Sequence, residues 1–239
     1  MRQRALIVSA VTIVAVLVAG GLFASNMGFK LNHGLEKRLT ATPTGASRSG
    51  SQWIALPYNQ QTNLLNAGDL AVDISTPSSP ATILTQIARY LRTTDGPDSY
   101  LPAGVGVPFA LVPGEGYLVQ LSDNVATPAT INYIIVGSHN PGLATNLLGP
   151  DGGATSRSGS QWWAYPYHST ASNVGRLVED INAFAGSSTV VQIARYLQNS
   201  DGPDSYLPSG TASAWSLLPG EAYLIQVTSS VNGWVPAHY

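Results

Sequence analysis

Apolar and polar residues alternate at the start of the folded part of this chain: Phe29, Leu31 and His33 fall on one face, and Lys30 and Asn32 on the other. That period of two predicts a half-buried strand. Gln52 to Tyr58 predicts a second strand after a Thr-, Ser-, Gly- and Pro-rich loop over 40–51. The period then changes. Ala67, Leu70, Ala71 and Ile74 recur at i, i+3, i+4 and i+7 behind Asn66, as do Val174, Leu177, Val178 and Ile181 behind Asn173. Each set predicts a short amphipathic helix with one buried stripe and an Asn at its N-cap.

Thr82 to Leu91 suits either period, but its counterpart Thr189-Val190-Val191-Gln192-Ile193 is β-branched, which favours a strand. Asp95-Gly96-Pro97-Asp98 predicts a turn. Phe109 to Pro113 and Gly116 to Leu121 predict a hairpin across a Pro-Gly type II turn, and Ala129 to His139 a last strand echoed by Trp234 to His238.

The pattern occurs twice. Ser47 to Trp53 returns unchanged as Ser156 to Trp162, Gln86 to Leu91 as Gln192 to Leu197, Asp95 to Pro102 as Asp201 to Pro208, and Pro113-Gly114-Glu115 as Pro219-Gly220-Glu221. Two copies are too few for a solenoid, so each is expected to form its own core. The fold class expected is α+β and β-rich: two tandem homologous mini-domains, 26–139 and 140–239, each a mostly antiparallel sheet with one short helix. Residues 1–25 precede them as a signal peptide or signal anchor. Arg2 and Arg4 stand before an uncharged, mainly apolar run from Ala5 to Phe23, the layout of an export signal. Cleavage and retention as a membrane anchor both stay open. The placement expected is exported: extracellular or at the cell surface.

Composition narrows the chemistry. Charged residues are 10% of the chain against about 25% usually, and the net charge is −2. No basic field is available for nucleic acid. With no cysteine, disulfides, thiolate metal sites and cysteine nucleophiles are excluded.

The repeated acids Asp95, Asp98, Asp201 and Asp204 could offer hard oxygen ligands to calcium, although Gly-Pro between each pair already dictates a turn. Glu115 and Glu221 could pair with Asp98 and Asp204 in an exported hydrolase, but no nucleophile elbow or His-x-x-x-His pair accompanies them. Arg89 and Arg195, in mid-strand, are expected to pair with Asp73 and Asp180.

The two copies of the early strand differ on one face only. Trp53, Ala55 and Pro57 match Trp162, Ala164 and Pro166, and this shared face is read as core. On the other face Gln52, Ile54, Leu56 and Tyr58 become Gln161, Trp163, Tyr165 and Tyr167, followed by His168. Trp163, Tyr165, Tyr167 and His168 are therefore the candidate binding residues. They would serve as a sugar-stacking platform, as a protein interface, or as packing between the units or under the second helix.

Ser25 to Asn32 after an apolar leader, Leu56-Pro57-Tyr58, Pro113 to Val119 and Ile135 to His139 resemble uncharacterised tandem-repeat proteins exported by bacteria. The resemblance implies envelope or extracellular placement and carries no activity with it. The function expected is non-catalytic: a structural or adhesive surface protein acting by self-association or attachment, in a filament or surface layer. Its partners would be itself or other surface proteins. A carbohydrate-binding protein and an exported hydrolase are the alternatives.

Overall fold

The computed structural model describes residues 29–37, 48–60, 64–75, 84–104, 106–121, 130–138, 140, 142–152 and 157–238. The apolar leader, most of the loop over 40–51, and His139 lie outside them. Among the described residues, thirteen strands and two helices follow in chain order. The first repeat gives β1 (Phe29–Glu36), β2 (Ser51–Ala55), β3 (Asn59–Gln60), α1 (Ala67–Ser75), β4 (Leu84–Leu91), β5 (Gly96–Tyr100), β6 (Gly116–Leu121) and β7 (Thr130–Ser138). The second gives β8 (Thr145–Leu147), β9 (Ser160–Ala164), α2 (Val174–Ala185), β10 (Val190–Leu197), β11 (Gly202–Tyr206), β12 (Ala222–Val227) and β13 (Val231–Trp234).

Each repeat builds a four-stranded antiparallel sheet of the same order, β2-β6-β4-β5 and β9-β12-β10-β11. A smaller sheet accompanies each one: β1-β7-β3 in the first, β8-β13 in the second. Two hydrophobic clusters fill the two repeats separately, one running from Leu31 to Ile135 and the other from Leu147 to Trp234.

The helices follow their sequence signals. Asn66 Oδ1 accepts hydrogen bonds from the Gly68 and Asp69 amides, and Asn173 Oδ1 accepts one from Arg176. These caps satisfy amides that have no intrahelical partner. The predicted stripes are buried in full, Ala67, Leu70, Ala71 and Ile74 in α1 and Val174, Leu177, Val178 and Ile181 in α2. The ambiguous segments are strands, β4 and β10, as the β-branched second copy indicated.

Four local expectations need correction. The echo of the last strand is β13, Val231–Trp234, and not Trp234 to His238. The turn is Arg92 to Asp95, closed by the Asp95 amide on the Leu91 carbonyl, and Gly96 to Tyr100 is itself a strand. Pro97 is accommodated because β5 is an edge strand, where a missing N–H costs no ladder bond. Phe109 to Pro113 is not a strand of a hairpin. It runs beside the entry to α1, with the Ala67 amide bonded to the Phe109 carbonyl and the Leu111 amide to the Leu65 carbonyl. The type II turn after it does form: Gly114 has φ +85°, and the Glu115 amide reaches the Val112 carbonyl. Finally, Arg89 and Arg195 pair with Asp98 and Asp204 directly across the sheet at 2.9 Å, not with Asp73 and Asp180. Those two acids accept hydrogen bonds from Tyr133 and from Trp234 instead.

Candidate functional site: two unequal clefts between the repeats

The shared face of the early strands is not the core of either repeat. It is where the repeats meet. Trp53 and Trp162 lie 5.4 Å apart between ring centroids, and Tyr196 and Tyr90 flank them at 5.6 and 5.8 Å. The four rings form one row, Tyr90–Trp162–Trp53–Tyr196, whose successive members come from alternate repeats. Aromatic pairs at such distances contribute about 0.5–1.5 kcal/mol each beyond their burial. Beside the row, the Ala55 amide bonds to the Gly220 carbonyl and the Ala164 amide to the Gly114 carbonyl. The ring pairs and these two backbone bonds each have a counterpart with the repeats exchanged, the signature of an isologous interface. Gly116 and Ala222, equivalent positions, face each other at its centre: a methyl on Gly116 would sit 2.5 Å from the Ala222 methyl carbon.

The repeated acids tie this interface. Asp95 accepts from the Tyr90 hydroxyl at 2.7 Å and, across the interface, from the Ser158 amide at 3.0 Å and hydroxyl at 2.8 Å. Asp201 does the same with Tyr196 and with the Ser49 amide and hydroxyl. Both acids have left-handed backbone, φ 56° and 55°, a conformation Asp tolerates better than most residues. Desolvation raises the Asp95 pKa, but the hydrogen bonds from Tyr90 and Ser158 outweigh it and hold the carboxyl below its ordinary value. The Tyr90 hydroxyl is pushed up to about 12, chiefly by desolvation and then by Asp95. The four calcium candidates thus divide into two interface ties and two in-sheet ion pairs. Among the described residues no group of three or more His, Cys, Asp or Glu is placed to hold a metal ion.

The diverged face is the core. Trp163 and Tyr165 are 1% and 6% exposed. Trp163 packs on Trp234 at 5.3 Å, and the Tyr165 hydroxyl donates to the Ala171 carbonyl. As placed, neither can stack a sugar. Their counterparts Ile54 and Leu56 are also buried, beneath the longer β1–β7 pairing of the first repeat. The larger aromatics fill the second repeat, where β8 and β13 make only a short sheet. Tyr167 is 38% exposed and stacks edge-on against His168 at 4.5 Å. The structure therefore separates the four candidates into two core residues, the exposed Tyr167 and the half-buried His168.

Two clefts flank the aromatic row, and they are equivalent in position but unequal in content. The smaller, about 230 Å³, is walled by Arg92, Glu115, Thr145, Asn146, Gln161 and Trp162, among others. Arg92 crosses it: Nη2 bonds to Glu115 at 2.7 Å and Nη1 to the Asn146 carbonyl at 2.8 Å. The larger, about 430 Å³, is walled by His33, Gly34, Gln52, Trp53, Gln198 and Glu221, among others.

Equivalences follow from shared contacts. Gln52 accepts from the Glu36 amide as Gln161 accepts from Leu148, so Gly34 occupies the place of Asn146 and His33 that of Thr145. Gln198 stands where Arg92 stands. It reaches the Gly34 carbonyl at 3.5 Å and Gln52, but makes no bond to Glu221.

Glu221 consequently has no ion pair among the described residues; the Tyr223 hydroxyl donates to it at 2.8 Å. Burial raises its pKa, against that hydrogen bond and the distant field of Arg195. His33 is 7% exposed, stacks on Tyr133 at 5.9 Å and has an unpaired Nε2. Burial lowers its pKa to about 4, so the imidazole is neutral at pH 7. The Gln52 Nε2 is also unpaired. Sequence reasoning named Glu221 for another role and passed over His33, Gln198 and Arg92. The usable signal was the Arg92-to-Gln198 exchange directly after an otherwise unchanged block.

A scan against protein-family models matches none, and neither the search of curated proteins nor that of solved structures returns a match.

Proposed function

We propose that this chain is a non-catalytic exported protein of the cell surface or extracellular space, acting by attachment or self-association: two homologous mini-domains fused into one pseudo-symmetric pair. The observation that carries this reading is the assignment of the repeated carboxylates. Asp98, Asp204 and Glu115 are held in ion pairs, and Asp95 and Asp201 join the two units. Of the four carboxylates that a hydrolase would use, Asp98, Asp204 and Glu115 are engaged in ion pairs, and Glu221 alone has none among the described residues. The low charge and the apolar leader with Arg2 and Arg4 support export. No described helix is long and apolar enough to cross a membrane, and the leader lies outside the described residues.

For self-association, the prolines of β5 and β11 blunt one edge of each large sheet, while β1 is an edge strand of its own sheet beside the central β7. An added strand would pair there by β-augmentation. Fractionation of the producing cells should find the protein in the envelope or medium. Sedimentation of the purified protein should show assembly with rising concentration, or pull-down should show retention on cell-surface polymer. A monomer at high concentration that is retained on no surface polymer would remove the reading.

A further inference from the structure

The two clefts occupy equivalent places, and one of them already contains its ligand. In the smaller cleft the Arg92 guanidinium pairs with Glu115 and with a backbone carbonyl. In the larger, the same carboxylate and the same carbonyl are present as Glu221 and Gly34, and the guanidinium is not, because position 198 is Gln. We propose that the larger cleft is a receptor for a guanidinium group, an arginine side chain of a partner protein entering between the repeats and pairing with Glu221.

The internal twin specifies the chemistry. A planar cation with several N–H donors satisfies a carboxylate and a carbonyl together, which Lys does less well as a point charge. Space for it exists, since the cleft measures about 430 Å³ against about 230 Å³ where arginine is already in place. The remaining charges do not oppose entry. Glu36 at the rim is neutralised by Arg48 at 2.9 Å, and Arg195 is held by Asp204. His33, which replaces Thr145, brings a buried imidazole with an unpaired Nε2 to the same wall, and uncharged it repels no cation. Trp53 and Tyr196 supply aromatic surface against which a guanidinium can stack. An anion would meet Glu221, and no Lys or Arg is among the described residues that wall the cleft. The inference rests on the cleft alone, and its failure leaves the attachment reading standing.

The test uses the whole protein and a capped Gly-Arg-Gly peptide, with the citrulline peptide as a neutral isostere, titrated against tryptophan fluorescence and followed by calorimetry. Wild type should bind one arginine peptide, and the citrulline peptide should bind at least about tenfold more weakly, as loss of a charge-assisted bond requires. Glu221→Gln should weaken arginine binding by a similar factor. Gln198→Arg should place the protein's own guanidinium in the cleft and abolish binding. Arg92→Gln should open the smaller cleft beside Glu115 and raise the stoichiometry from one to two. Circular dichroism of each variant separates misfolding from loss of the site. Equal binding of arginine and citrulline, no binding to folded wild type, or a folded Gln198→Arg that binds as wild type does would overturn the proposal.

Discussion

Replacing Asp95 by Asn probes the joint between the repeats with the least disturbance elsewhere. Asn keeps the shape and tolerates the left-handed backbone at φ 56°. The substitution removes the charge that accepts the Ser158 amide and hydroxyl across the interface and the Tyr90 hydroxyl within the repeat. A hydrogen bond to a charged group contributes about 1.5–3 kcal/mol and a neutral one about 0.5–1.5, so each of the two cross-interface bonds loses about 1 kcal/mol. Partial exposure discounts this, giving an expected loss of about 1–2 kcal/mol. The control lies three residues away in the same motif. Asp98→Asn breaks a half-exposed ion pair with Arg89 inside one sheet, worth about 0–1 kcal/mol. Urea unfolding followed by tryptophan fluorescence suits both variants, because Trp162 stacks on the Tyr90 that Asp95 holds. If Asp95→Asn cost no more than Asp98→Asn, the assignment of Asp95 as an interface tie would be wrong.

Other outcomes follow from the same geometry. Gly116→Ala should destabilise by about 1–3 kcal/mol through overpacking against Ala222, whereas Gly34→Ala, where an added methyl meets nothing within 4 Å, should stay within about 0.5 kcal/mol by thermal melting. His33 is buried with its pKa lowered from 6.5 to about 4, so the unfolded chain binds the extra proton and stability falls as pH drops through that window. The loss should reach about 3 kcal/mol below pH 4, and His33→Phe should flatten the slope in pH-dependent denaturation. Trp163→Ala should cost about 3–5 kcal/mol as a core truncation while Tyr167→Ala changes stability little, both read by denaturant midpoint.

Much of the local structure was legible in the sequence, because short-range chemistry dictates it. The apolar period and Asn caps of α1 and α2, the Pro-Gly turns and the strand character of β4 and β10 all depend on residues within a few positions of one another. The alternation divided two faces along β2 but could not say what covered each, and it failed at Tyr58, which lies beyond the strand end and packs with Ala55 and Ala164. Both are covered: Ile54 by its own repeat, Ala55 by the other. The assumption that shared residues are core residues then inverted the assignment. A core accepts changes that keep volume and pattern, so Ile54 could become Trp163. In the interface, Trp53 meets its own counterpart Trp162, and equivalent positions are tied to one another. The partners of Asp95 and Asp201 lie 63 and 152 residues away, beyond the reach of any local pattern. The arginine-for-glutamine exchange behind the unequal clefts was visible, but its meaning depended on Glu115 and Glu221 standing opposite.

Amide hydrogen exchange at Ala55 and Ala164 tests the pairing of the repeats most directly. Each of these amides donates to the other repeat, to the Gly220 carbonyl at 2.7 Å and the Gly114 carbonyl at 3.0 Å. Pairing through the shared face predicts protection of both to a degree comparable with interior amides of β6 and β12, lost together in Asp95→Asn/Asp201→Asn. Fast exchange at Ala55 and Ala164 in a protein whose sheet interiors remain protected would contradict it.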